Sequence, residues 1–511
     1  IIDSGQSTTL SWETSGAGAL SIDMGAPAIG GDSGSVGVSP TATTTYTLTA
    51  TNEAGSVTAR ATVGVDVEVL DPVVTEFMAS NSGTLDDGDG NSSDWIEIFN
   101  PNPFAVSLAG YALQDRAATW VFPEVQIAAG GYLIVFASGQ SIDNYVDAGG
   151  FLHTNFKLSA SGDEVLRLID TGGETVLSEF AGLPAQPTDV SWGIGAGGGG
   201  QGFLVPPTPG GENGPALSGF VADTMFDVGR GFFSAPVTVT ITTATPGASI
   251  SYTTDGSEPA ASHGTVVAEQ SAAVTISATT VLRAMAFRPG WAPTNIDTNT
   301  YLFLGDVIDQ PVAPAGFPAT WGKFTGANGS SSGAPVPADY QMKPAIVNED
   351  RAAMIAALES LPTMSIVADP GDLFSAEGIL PNPFATVNGT GVYTRSPFVA
   401  DRACSVEWFQ PDGALEDQVD CGVRLTGGWS RHYSATPKKS LRLSFKSEFG
   451  PSKWNFPLFG AGEISEFDKV QLRATFSDGW VDNAVPAQYL RDPFVRETFL
   501  AMGGTGARGT F

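Results

Sequence analysis

From its start to about residue 304, the chain alternates short apolar and polar positions, and each such stretch predicts a half-buried strand. In TTTYTLTATN, Tyr46, Leu48 and Ala50 fall on one face, while Thr45, Thr47 and Thr49 fall on the other. Leu10 and Trp12 alternate in the same way in STTLSW, and Glu53-Ala54-Gly55 predicts the turn before SVTARATVGV. Farther on, Trp95, Ile96, Ile98 and Phe99 surround Glu97 in one strand, and Leu108 and Tyr111 flank Gly110 at a turn. Tyr132 to Phe136 read as a short, fully apolar strand. Val237, Val239 and Ile241 alternate with threonines, Ile250 and Tyr252 follow, and Leu282, Ala284 and Ala286 mark a later strand. Between them TTDGSEP (253–259) has the Asp-Gly and Pro chemistry of a turn.

From about 305 the period changes. Asn348 predicts a helix cap before an apolar face of Met354, Ile355 and Leu358, with Pro362 as the stop. Asp492-Pro493 predicts a second helix start, with Phe494, Val495, Phe499 and Met502 on one face and Gly503 at its end. The expected architecture is multidomain: three all-β, Ig-like sandwiches at 1–66, 67–190 and 218–304, then an incomplete α+β domain at 305–511. The stretch 191–217, with GIGAGGGGQGFLVPPTPGGENGPA, reads as a Gly/Pro-rich linker.

Bulk properties narrow the function. At 511 residues the chain is too long for one core. Its 62 glycines and 34 prolines follow no G-X-Y period and therefore read as turns between short strands. The net charge of −30 repels a phosphate backbone and argues against nucleic-acid partners. Solubility in a salty exterior accounts for that charge, with cation binding as the alternative. No run of 18 apolar residues occurs, so no membrane span is expected. The first residues, IIDSGQSTTLSW, carry no secretion-signal pattern and read as the inside of a domain, so the sequence is expected to be a fragment.

Four groups of residues carry candidate chemistry. Cys404 and Cys421 bracket SVEWFQPDGALEDQV, a strand–turn–strand pattern. Symmetric pairing about its Pro-Asp-Gly turn sets the cysteines opposite each other, either as a cross-strand disulfide or as two buried thiols. Asp86, Asp87, Asp89, Asn91 and Asp94 crowd a loop with the oxygen donors that Ca²⁺ takes. Counted from Asp87, however, Ile98 stands where an EF-hand needs its bidentate Glu, so the choice is between a looser Ca²⁺ loop and a solvated hairpin tip. Arg424, Arg431, Lys438, Lys439, Arg442 and Lys446 form the densest basic cluster in the chain. If KKSLRLSF is a strand, Lys439, Leu441, Leu443 and Phe445 share one face while Lys438, Ser440, Arg442 and Ser444 share the other. Gly427-Gly428 would let backbone amides approach a phosphate. Tyr252 and Trp291 offer stacking surfaces for a sugar, although core packing is the commoner use of such rings. The three histidines, His153, His263 and His432, have no Cys or His partner at zinc spacing.

Several segments resemble known families. GQSTTLSWETSGA…SPTATTTYTLTATNEAGS resembles bacterial Ig-like surface repeats, which act mainly as spacers. VVTEFMASN, SDWIEIFNPNPFAVSLAGYALQD and AAGGYLIVFASG resemble a lamin-tail domain, implying a compact sandwich used in binding or wall association. ISYTTDGSEP with TTVLRAMAFRPGW resembles the chitobiase C-terminal sandwich, a module that usually accompanies an enzyme. DVIDQ…GFPATWG, LPTMSIVADPGDLFS, CGVRLTGGWSRHYSATPKKSLRLSFKSEFG and FDKVQLRATFSDGW…YLRDPFVRETFLAMG resemble the CotH-type spore-coat kinases, in that family's order.

The last resemblance implies phosphate transfer from ATP, with Mg²⁺ or Mn²⁺, to extracellular proteins. It makes Arg424, Arg431, Lys438, Lys439 and Arg442 the nucleotide-binding candidates. The family's metal-binding residues are expected downstream of Phe511, so the fragment itself is expected to be inactive. The alternative is a non-catalytic adhesion protein of the cell surface that binds extracellular proteins or cell-wall polysaccharide.

Overall fold

The computed structural model describes residues 1–66, 69–323, 335–375, 378–380, 401–410, 416–427, 439–460, 462–474 and 491–505. It divides into two compact units, Ile1–Leu217 and Ser218–Phe511. The described residues are mostly β-sandwich.

The first unit begins with a small module of two sheets. Strands Thr8–Glu13 and Ser33–Val38 pair antiparallel, as do Ala19–Ile22, Thr44–Asn52 and Gly55–Val63. The alternation read from the sequence holds at one pair, with Tyr46 buried and Thr45 exposed and exchanging a hydroxyl hydrogen bond with Thr62 at 2.8 Å, whereas Thr47 to Ala50 are all half-buried. Gly34 sits opposite Trp12, and a Cβ there would lie 2.6 Å from the indole.

The second module stacks a six-stranded sheet on a four-stranded one. The larger sheet runs Leu152–His153, Tyr132–Phe136, Trp95–Phe99, Val73–Met78, Ser191–Ile194, Gln201–Leu204. The smaller runs Thr119–Val121, Ala112–Gln114, Leu166–Ile169, Val176–Phe180. Val74, Phe77, Ile96, Ile98, Leu113 and Leu168 belong to one buried cluster, and the rings of Phe77 and Phe180 meet edge to face at 5.3 Å. The residues expected to be a linker are therefore structural. Ser191–Ile194 pairs with Val73–Met78, with Gly193 opposite Glu76. A Cβ on Gly193 would come within 2.3 Å of the Thr75 carbonyl oxygen, so this glycine provides close approach, not flexibility.

The second unit opens with another two-layer sandwich. Thr224–Phe226, Val237–Thr243 and Ser271–Ile276 form one sheet. Gly231–Phe232, Asp297–Leu302, Thr280–Phe287, Ser249–Thr253 and Thr265–Val267 form the other. Val239, Ile241, Ile250, Leu282, Ala284 and Tyr301 fill the space between.

The remainder is built on a five-stranded antiparallel sheet in the order Thr363–Val367, Arg402–Phe409, Glu416–Thr426, Ser440–Ser444, Lys469–Leu472. One face carries Val406, Trp408, Cys404, Cys421, Val423 and Leu443 and packs on Trp454 and Phe456, whose rings stack at 4.9 Å. Short helices Leu304–Ile308, Pro344–Val347, Arg351–Glu359, Pro370–Phe374 and Arg491–Ala501 accompany it. The cap of Arg351–Glu359 is Asp350, which accepts from the Ala353 amide at 2.9 Å, whereas Asn348 closes the preceding helix. Asp350 takes this role because a helix there starts two residues later than the apolar spacing indicated. No described helix is long and apolar enough to cross a membrane.

Candidate functional site

The acidic loop lies between strands Val73–Met78 and Trp95–Phe99. Asp87 Oδ1 accepts from the amides of Asp89 (3.1 Å) and Asn91 (2.8 Å), and its Oδ2 accepts from Ser93 Oγ at 3.0 Å. Asp86 accepts from Ser92 Oγ at 2.7 Å, and Asp89 from the Tyr145 hydroxyl at 2.5 Å. Burial raises the Asp94 carboxyl to about 6, against hydrogen bonds that lower it. The five predicted oxygen-bearing residues thus share one loop; Asp86 and Asp87 accept from the loop's own groups, Asp89 accepts from Tyr145, and Asp94 is bonded by the Asn81 and Leu158 backbone. Among the described residues, no group of three or more His, Cys, Asp or Glu side chains is placed to hold a metal ion.

Beside this loop stands an arrangement that the sequence did not disclose. Ser138 Oγ lies 2.8 Å from His153 Nδ1, and His153 Nε2 lies 3.1 Å from Asp147 Oδ2. The order hydroxyl, imidazole, carboxylate is that of an activated nucleophile. Acyl transfer also needs amide donors aimed at an oxyanion. The nearest, Gly139 and Gln140, already donate to Phe156 and Thr154. The imidazole is 1% exposed and packs between Phe136 and Tyr145. Asp147 also accepts from the amides of Gly88, Gly149 and Phe151. Burial alone would raise its carboxyl; the His153 bond and these amides together bring it below the ordinary value. The relay clamps the acidic loop to strand Leu152–His153.

Two glutamates in apolar strands are also buried. Glu76 and Glu97 are register partners with no exposed surface. Glu76 accepts from the Thr208 amide and hydroxyl, both at 3.0 Å, and from Ser191 Oγ. Glu97 accepts from Thr75 Oγ1 and the Gly210 amide, both at 2.6 Å. Burial raises both carboxyls, that of Glu97 to about 7, and repulsion from Glu76 adds to its rise. Residues 208–210, inside the stretch expected to be flexible, are thereby fastened to the sheet.

In the terminal sheet the basic cluster divides. Arg424 and Arg442 are direct cross-strand partners, so two like charges share one face. Asp401 offsets one of them: Arg424 Nε lies 3.0 Å from its Oδ1 as an ion pair without hydrogen-bond alignment, and Lys446 Nζ is 2.9 Å from its Oδ2. Arg442 Nε is buried with no hydrogen-bond partner among the described residues. Lys439 is half-buried, and burial lowers its amine to about 8. Leu441 and Leu443 face the core opposite to Arg442, as the strand parity predicted. Arg431, Lys438 and Gly428 lie outside the described residues. Gly427 has φ +103°, a conformation glycine adopts without strain.

Cys404 and Cys421 are register partners and are free thiols with Sγ atoms 3.5 Å apart. The sugar-stacking candidates are both occupied: Tyr252 packs on the module's core, and Arg288 lies 4.5 Å over the Trp291 ring. The asymmetry of what was missed is physical. Glu76 and Glu97 are single polar residues whose partners include loop residues over 100 positions away, while His153 is held by Ser138 and Asp147 from neighbouring loops and Asp401 by Arg424 and Lys446. The available signal was a lone carboxylate inside an apolar run, as in TEFM and WIEIF.

Comparison with known proteins adds two module assignments. Residues 71–180 match the family model of the lamin tail domain, and residues 228–298 match that of the chitobiase/beta-hexosaminidase C-terminal domain. No curated protein matches the chain. Among solved structures, an I-band fragment of titin is 11% identical, covering 59% of this chain and 94% of that one with a TM-score of 0.14. The ICAM-5 ectodomain fragment is 11% identical, covering 83% and 97% with a TM-score of 0.20. A Bacteroides ovatus protein, SGBP-B of the mixed-linkage glucan utilization locus, in complex with a mixed-linkage heptasaccharide, is 13% identical over 59% and 65%, with a TM-score of 0.12. Superpositions this weak carry no functional argument.

Proposed function

We propose that this chain belongs to a secreted or cell-surface modular protein that works by binding extracellular proteins or cell-wall polysaccharide, and not by catalysis. In this reading the sandwiches are spacers and docking surfaces. One observation carries it: the polar clusters of the first unit are engaged in holding loops to sheets. The Asp87 and Asp147 carboxylates, the Glu76–Glu97 pair and the His153 imidazole each bond to the fold's own donors. The two matched modules, lamin tail and chitobiase C-terminal, are consistent with such accessory use. The test is paired. The full chain is sedimented with insoluble peptidoglycan, chitin and cellulose, and is separately incubated with labelled ATP, Mg²⁺ or Mn²⁺ and a serine-rich acceptor protein. Retention on a polysaccharide without label transfer is expected; transfer above the no-protein blank would overturn the reading.

A second reading, that of a CotH-like kinase domain, is favoured by the strand pair carrying Arg424 and Arg442. With Lys439 beside it and Gly427 at the strand end, it offers cationic donors of the sort a triphosphate needs. A saturable rise in melting temperature with Mg-ATP, abolished by Arg442→Ala, is the result this reading requires.

A further inference from the structure

We propose that Cys404 and Cys421 close a structural disulfide across the central hairpin of the terminal sheet. The two are directly opposite in strands Arg402–Phe409 and Glu416–Thr426. Opposed residues of an antiparallel pair have Cα atoms about 4.5 or 5.5 Å apart, and both spacings fall within the range of about 4.4–6.8 Å that a disulfide spans. The Sγ atoms already stand 3.5 Å apart, so rotation about χ1 closes the bond without moving the backbone. With two cysteines in the chain, neither has a competing partner within it.

The environment says when the bond forms. Cys404 is 5% exposed and Cys421 has no exposed surface, among Val406, Val419 and Val423. The hydrogen bond between the thiols, then burial, push the Cys404 thiol far up, so the folded dithiol is a poor nucleophile. Oxidation therefore belongs to folding, when a hairpin with its cysteines 17 residues apart has paired but the core has not closed over it. One cysteine thiolate attacks a small-molecule disulfide, releasing one thiolate and leaving a mixed disulfide. The second cysteine thiolate attacks the protein sulfur of that intermediate and releases the other thiolate. Two protein thiols are oxidised, their two protons pass to the two released thiolates, and the oxidant is thereby reduced to two thiols.

The test uses the full chain, refolded with oxidised and reduced glutathione, then alkylated with iodoacetamide in denaturant without reductant. An intact mass about 2 Da below that of the dithiol form, with no alkyl group added, is expected. The melting temperature of the second unit should stand roughly 5 °C above that of the same sample after dithiothreitol. The Cys404→Ser, Cys421→Ser double variant should show no response to dithiothreitol. Two alkyl groups, a retained glutathione adduct or a disulfide-linked dimer would each overturn the proposal, and the mass of the unsubstituted chain decides it even if the variant does not fold.

Discussion

Arg230 donates from Nε to Glu407 Oε1 at 2.8 Å, and this ion pair joins the 218–304 sandwich to the second strand of the terminal sheet. The Glu407 side chain has no exposed surface. It also accepts from the Thr300 amide at 3.0 Å and from the Thr300 hydroxyl, which in turn receives the Ser365 hydroxyl at 2.8 Å. Phe232 and Phe409 meet edge to face at 5.6 Å nearby. The outer face of one sheet thus covers the polar face of the other, and the buried charge has donors on every side.

Removing one partner of such a pair is more harmful than removing both. Glu407→Ala leaves Arg230 Nε and two Thr300 donors without their acceptor, while Arg230 Nη2 keeps the Thr298 carbonyl, and should lower stability by about 3–5 kcal/mol. Arg230→Met with Glu407→Leu should recover much of the loss, since a packed apolar pair replaces an ionic one. Calorimetry of the full chain reads this as the transition of the second unit falling in the single variant and returning in the double. Equal losses in both would show that the ion pair does not hold these layers together.

Lys439 should oppose stability at neutral pH. Its folded amine lies near 8 through burial, below its ordinary 10.5. A depressed folded pKa gives a contribution that is present above 10.5 and lost as pH falls through 8. At pH 7 the charged form carries the full penalty, on the order of 1–2 kcal/mol after discounting for its part exposure. Lys439→Met should therefore raise the melting temperature at pH 7 and have little effect at pH 11. If the same variant also abolishes an ATP-induced shift, the lysine is held at a stability loss for a ligand.

These cases show which parts of the structure the sequence could disclose. Local parity was legible: Tyr46 inward beside Thr45 outward, Leu441 and Leu443 on the core side of Arg442, and Cys404 opposite Cys421. Each depends only on strand period or on symmetry about a turn. The strand Ser191–Ile194 was hidden because its glycines suggest flexibility, while Gly193 is needed for contact with Thr75 and Glu76 from over 100 residues away. Glu76, Glu97 and Glu407 share a readable sign, one carboxylate in an apolar strand, but nothing in the sequence indicated that Thr208, Gly210 and Thr300 would meet them.

Asp87 anchors its loop through direct bonds, which separates it from a cation ligand experimentally. Asp87→Ala removes the acceptor of the Asp89 and Asn91 amides and of Ser93 Oγ. The expected loss is about 1–3 kcal/mol, the penalty for unsatisfied donors. It should be the same in calcium chloride and in EGTA. A loss that appears only with calcium present would instead make this loop a Ca²⁺ site.

The Glu76–Glu97 pair makes the lamin-tail module's stability depend on pH in an unusual direction. Most carboxylates that are paired in a fold lose stability on acidification. Here burial, with repulsion from Glu76 adding to it, lifts Glu97 from 4.5 to about 7. A carboxyl raised on folding contributes stability that is fully present below 4.5 and is lost as pH rises through about 7. The shift corresponds to roughly 3 kcal/mol for this unexposed group. Glu76 is raised in the same direction, and Asp94 of the same module to about 6, so they add to the slope. Melting of the first unit should therefore occur at higher temperature at pH 5 than at pH 8. Glu97→Gln keeps an acceptor for Thr75 Oγ1 and removes the ionisable group, so it should flatten the profile above pH 5. A profile as steep in the variant as in the parent would assign the slope to other groups, with Asp94→Asn as the next substitution to measure.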